Sequence, residues 1–184
     1  MEFSEKQRGV IRGVIPAALV SVAGMCVGPI LLPMNALPAE EAGARLAWAL
    51  PWALLPILML MISIMRVANH RFASPEDIDG SGLTVGSAHV LVLRAILQNT
   101  LEQAVLAAAA YSIWSVSMPL KWLGVIPAAA LLFVLGRILF MAGYERGAGE
   151  RATGFGLTAY PSFGMLATLA AVLSLRLIRW AIGA

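Results

Sequence analysis

Five uncharged, largely apolar runs punctuate this chain, between Arg12 and Glu40, Arg45 and Arg66, Glu102 and Lys121, Lys121 and Arg137, and Arg151 and Arg176. A helix needs about 20 mostly apolar residues to cross the hydrocarbon core. Four of the five runs meet that length, and the shorter one continues past Arg137 as far as Gly143. The pattern predicts helices over about 14–32, 46–69, 87–116, 120–144 and 155–182, behind a polar leader over 1–12. Residues 72–86 read as a turn-rich loop, with Ser74-Pro75 starting a turn and Gly80, Ser81 and Gly82 breaking any helix. The third helix is too long to lie wholly in the bilayer, so its first turns should project from it. Pro51 and Pro56 fall inside the second helix, where neighbours can satisfy the freed carbonyls.

Composition sharpens this to an all-α integral membrane bundle. Sixty per cent of the 184 residues are hydrophobic and 12% are charged, with a mean hydropathy of +0.83. No soluble domain of this size could hide so much apolar surface. The first run is too long for a cleaved signal peptide and lacks a convincing small-residue cleavage site, so it reads as a retained helix. Cys26 is the single cysteine and excludes an internal disulfide. A net charge of +3 without a basic run gives no case for nucleic acid.

Charge then sets orientation. Lys6, Arg8, Arg12, Arg66, Arg71, Arg94, Arg137, Arg146 and Arg151 belong to the side of the N-terminus, against Arg45, Lys121, Arg176 and Arg179 on the other. The positive-inside bias predicts a cytoplasmic N-terminus and a C-terminus outside. The five-helix form and the Ala/Gly/Leu-rich composition suggest a bacterial inner membrane. Trp48, Trp52, Trp114, Trp122 and Trp180 are expected as interface anchors. The strips 107–110 and 128–130, all alanine, permit close helix contact.

Polar residues inside membrane helices are costly and need a partner or a wet cavity. Arg94, Gln98 and Glu102 fall at i, i+4 and i+8 on one face of the third helix, with Asn99 beside them. Arg137 and Tyr144 share a face of the fourth. Arg66 closes the second helix and Arg151 precedes the predicted fifth. Their convergence at one depth predicts a site for a polar, anionic ligand. Two plainer readings stand beside it: helix-end arginines snorkel toward the headgroups, and a Glu–Arg pair can merely hold helices together. His70 and His89 lack metal-ligand spacing and read as inert; there is no metal cluster, phosphate loop or serine triad in the sequence.

Three segments resemble the MAPEG superfamily, the membrane-associated proteins in eicosanoid and glutathione metabolism. The stretch from Arg66 through Arg71-Phe72-Ala73-Ser74-Pro75-Glu76-Asp77 is similar to the family's first-helix end and loop. Arg94 to Glu102 resembles its Arg-Ala-x-x-Asn-x-x-Glu signature, and Gly136-Arg137 to Tyr144 with Arg151 its third-helix motif. The resemblance implies a homotrimer of four-helix subunits over 46–184, with residues 1–45 adding a leader and an extra helix. It implies glutathione bound between subunits near the cytoplasmic face, and a lipophilic substrate entering from the bilayer. Asn99, Glu102, Arg137 and Tyr144 would hold glutathione, with Arg94 and Gln98 on the same strip. Glu102 would take its amino group and arginines its carboxylates. Arg151 would stabilise the thiolate, and Arg66 would assist at the lipid substrate.

The chain departs from the family pattern at three places. Arg94 precedes Asn99 by five residues instead of four, Phe140 stands where the family carries Tyr or His, and Gln103 where one branch carries Tyr. The functions in view are a glutathione transferase or peroxidase acting on lipophilic electrophiles or lipid hydroperoxides, a non-catalytic lipid-binding protein of the same fold, and a small transporter using Glu102.

Overall fold

A computed structural model describes residues 3–80 and 82–183. Five long helices carry the chain: α1 (Glu5–Leu31), α2 (Ala42–Ala73), α3 (Ala88–Ser117), α4 (Val125–Gly143) and α5 (Ala148–Ala181). All five are long and apolar enough to cross a membrane, and the chain is an integral membrane protein. Short 3₁₀ turns at Met34–Ala36, Leu120–Gly124 and Tyr144–Arg146 lie in the links. Ser81, one of the expected breakers, lies outside the described residues; neighbouring Gly80 turns the chain with φ +82°.

α2 runs about four residues beyond expectation at each end, α4 begins at Val125 after a 3₁₀ turn, and two boundaries differ most. The supposed polar leader is helical from Glu5, because Ser4 and Gln7 form a capping box. The Gln7 amide donates to Ser4 Oγ at 3.3 Å and the Ser4 amide to Gln7 Oε1 at 2.8 Å, satisfying two orphan donors at once. α5 starts at Ala148, seven residues before the predicted 155. Gly149, Gly154 and Gly156 are poor helix formers, which disguises that first stretch. The break lies ahead of them, at Gly147 with φ +111°.

Successive helices alternate in direction, so α1 and α5 run parallel. Gly9 lies against Gly149, Gly13 against Ala152, Ala17 against Gly156 and Met25 against Gly164. A Cβ on Gly13 would fall 2.8 Å from the Ala152 Cβ, and one on Gly156 2.6 Å from the Ala17 Cβ. Lipid is as apolar as leucine, so membrane helices associate through such close approach of small residues. α1 accordingly uses Gly24 and Gly28, against Leu132 and Gly124 of the α4 region, while Ala23 faces outward.

α4 occupies the centre and packs against each of the other four helices. Ala107 and Ala110 of α3 and Ala129 and Ala130 of α4 are buried, as the alanine strips suggested. Trp114 is a correction: at 3% exposure it belongs to the core, not the interface, with its indole N–H donating to the Trp122 carbonyl at 2.8 Å. At the end away from the N-terminus, Arg45 donates to the Met118 carbonyl and Arg176 to that of Ser117. Two of the four basic residues there serve the bare carbonyls at the end of α3.

Candidate functional site

Phe133, Arg137, Phe140 and Tyr144 recur at i, i+4, i+7 and i+11 and so share one face of α4 and its extension. Arg137 is fully buried there. Its Nη1 donates to Asn99 Oδ1 at 2.8 Å and to Thr100 Oγ1 at 3.4 Å, and its Nη2 to Thr158 Oγ1 at 2.7 Å. The guanidinium also stacks over Phe140 at 4.2 Å and Phe133 at 5.9 Å. Thr158 reaches it because α4 and α5 meet at Gly136 and Gly154, where an added Cβ on Gly136 would lie 2.8 Å from the Gly154 carbonyl. One buried cation therefore ties α3, α4 and α5 together.

The aromatic row carries on to a second arginine. Phe140 meets Tyr144 edge to face at 5.3 Å, and the Arg151 guanidinium lies 4.3 Å over the Tyr144 ring. Arg151 is half-buried, and among the described residues no carboxylate lies within ion-pair distance of it. It lines a cavity of about 390 Å³ with Asn99, Phe140, Tyr144, Phe155 and Tyr160, closed on one side by Val10 and Val14 of α1. Asn99 thus accepts from Arg137 and also lines the cavity.

The remaining residues anticipated from sequence are dispersed. Gln98 donates to Glu102 at 2.9 Å on the exposed outer face of α3, amid Leu101 and Val105. Arg94 makes no ion pair with Glu102 among the described residues. It lies instead under the α2–α3 loop, in a crevice with Arg71, Asp77 and Thr84, as its extra ~100° of turn relative to the family spacing would place it. Arg66 is half-buried on α2 and does not line the cavity. Gln103 is buried beside this face with its Oε1 unpartnered.

Sequence reasoning missed a polar cluster at the same end of the bundle. Buried Asp77 accepts from the Ser87 hydroxyl at 2.7 Å, the Ser87 amide at 2.8 Å and the Ser74 hydroxyl at 3.1 Å, and meets His70 Nε2 at 2.9 Å. The Ser87 hydroxyl, with the other bonds, holds its carboxyl well below the usual carboxylate range. His70 stacks on His89 at 4.8 Å, and His89 lies 3.4 Å from Glu145 in the turn before α5. The two histidines link the α2–α3 loop to the turn that carries Tyr144; the only signal in the sequence is Ser87 as a helix N-cap.

The profile of the MAPEG family matches residues 46–171, from within α2 to within α5. The chain belongs to the MAPEG family. No curated protein and no solved structure matches it. Within the family segment lie Arg66, Arg94, Asn99, Glu102, Arg137, Tyr144 and Arg151; α1, with Val10 and Val14, lies ahead of it. The MAPEG segment thus holds both arginines of the aromatic row, and a helix from outside it closes the cavity.

Proposed function

We propose that this MAPEG protein is a glutathione-dependent transferase or peroxidase acting on lipophilic electrophiles or lipid hydroperoxides at the cytoplasmic membrane boundary. The observation that carries the reading is Arg151: a cation without a carboxylate partner among the described residues, braced on Tyr144 and facing a mostly apolar cavity. Glutathione suits these groups, having two carboxylates for cations, one ammonium for a carboxylate, and a thiol. When bound, it supplies the sulfur nucleophile. Arg151 favours the thiolate over the thiol by its charge, and a guanidinium keeps that charge in a low-dielectric pocket. Tyr144 fixes the guanidinium plane, the Asn99 amide offers donors, and Phe140, Phe155 and the α1 valines exclude water.

The outer face of α3 supports the reading of a homotrimer. Glu102 and Gln98 lie exposed on an apolar helix, and a carboxylate at bilayer depth costs about 2.5–3.5 kcal/mol or more if left in lipid. Neighbouring copies of the chain would cover that pair and bring Glu102 toward the next subunit's site, where it would take the ammonium of glutathione. The excess of basic residues at the N-terminal end orients that end to the cytoplasm, in a bacterial inner membrane.

Turnover of a 2-alkenal with glutathione by the purified protein in detergent tests the reading. Arg151→Ala should lower kcat/KM by about 100-fold, the scale of losing one charge-stabilising donor. Absence of glutathione-dependent turnover in wild type with alkenals and with hydroperoxides overturns it. The apolar walls of the cavity favour one second reading, a non-catalytic lipid-binding protein of the same fold. It predicts retention of a bound lipid that Arg151→Ala leaves in place.

A further inference from the structure

We infer that α1, the helix outside the MAPEG segment, is the specificity wall of the site, with Val10 and Val14 limiting how long an apolar chain the electrophile can carry. This rests on the glutathione reading above and adds the class of substrate: electrophiles with a short apolar chain.

Three observations place α1 there as a fixed wall instead of a loose anchor. Val10 and Val14 are one turn apart and both line the cavity that holds Tyr144 and Arg151, together with Ala148, Ala152 and Phe155 of α5. The two helices approach too closely for any larger residue at Gly13 or Gly156. Thr153 of α5 donates its hydroxyl to the Gly13 carbonyl at 3.2 Å, directly beside Val14. That hydrogen bond pins the register of α1 against α5, and with it the height of both valines along the cavity.

Volume then decides the class of substrate. Sites for drug-sized ligands span roughly 300–1,000 Å³, and about 390 Å³ is near the small end. Such a space takes the thiol end of glutathione and a few carbons of a second substrate. A long acyl chain has to be turned away by the valines. The chemistry served is conjugate addition: the thiolate sulfur bonds the β-carbon of a 2-alkenal, the C=C pair moves toward the carbonyl, and a proton is taken up at the α-carbon. Nothing leaves, so the product is larger than the aldehyde and must fit the same wall.

The test compares kcat/KM for 2-decenal and 2-butenal, with the ultraviolet absorbance of bound glutathione thiolate recorded on each protein. In wild type 2-butenal should be preferred. The double variant Val10→Ala/Val14→Ala should raise the decenal-to-butenal ratio about tenfold, and Val14→Trp should lower it about tenfold, the scale of discrimination by a few methylenes. A thiolate signal in all three proteins with an unchanged ratio overturns the inference and leaves the glutathione reading standing. If Val14→Trp does not fold, the cavity-enlarging double variant decides alone. Lack of a thiolate signal in wild type sinks the glutathione reading and this inference with it.

Discussion

Arg137 and Arg151 stand at the two ends of one aromatic row, yet their surroundings divide them. Arg137 is enclosed: three hydrogen bonds engage its Nη nitrogens and two phenyl rings take its faces, although its buried Nε has no partner among the described residues. Arg151 has one ring behind it and open space ahead. A buried cation whose hydrogen bonds go to its own chain is a tie between helices, because removing it strands several acceptors. A half-buried cation without a counter-ion has free energy left to give to a ligand. Phe140 stacks on Arg137 and lines the cavity that holds Arg151, so the Arg137 cluster sets the position of a ring in the cavity wall.

The sharpest way to break this comparison is Arg137→Met. It removes three interhelical hydrogen bonds, each worth up to about 1.7 kcal/mol within a membrane, and takes the guanidinium donor from Asn99, Thr100 and Thr158, leaving the two threonines only their bonds to carbonyls of their own helices. We expect a loss of about 2–5 kcal/mol, read as a large drop in thermal midpoint in detergent. Arg151→Ala should leave that midpoint nearly unchanged, since it strands no partner. Equal destabilisation by the two variants would erase the distinction.

Gly156→Leu tests whether α1 matters to the cavity and not to the Arg137 cluster. The new side chain collides with Ala17, and overpacking of this kind costs about 1–3 kcal/mol. The expected outcome is a smaller fall in midpoint than for Arg137→Met, with weakened chain-length discrimination. A variant that kept wild-type discrimination would show the cavity indifferent to α1.

The smallest effect belongs to Asp77→Asn, in the α2–α3 loop. Asp77 has a folded pKa below its ordinary value, so its charged form stabilises the fold above about pH 4 and that contribution fades as pH falls toward the folded value. The gap in thermal midpoint between wild type and Asp77→Asn should be constant from pH 7 to about pH 5 and shrink in more acid solution. A gap that instead opened on acidification would mean that His70, not the Asp77 charge, governs the loop.

Much of the architecture was legible from residue order. Charge-free runs locate five spans because lipid tolerates few charges, and the alanine strips mark where α3 and α4 bury their small faces. The capping box that starts α1 also stood in plain view at Ser4 and Gln7, outweighed by the surrounding charge. The site was legible only as a set of residue types. Helical spacing correctly pairs Gln98 with Glu102, and one further residue turns Asn99 toward the interior. Which arginine would be engaged by its own chain depends on Thr158, brought in from α5 by glycines whose packing role is invisible along the chain. The valines of α1 are likewise ordinary apolar positions until α5 lies beside them.

The most direct measurement is the ultraviolet absorbance of glutathione thiolate bound to purified wild type, Arg151→Lys and Arg151→Ala. We expect a clear signal in wild type, a weaker one in the lysine variant, which keeps a charge but loses the stacked planar fork, and none in the alanine variant. A full signal in Arg151→Ala would contradict the assignment of the open arginine to the thiolate.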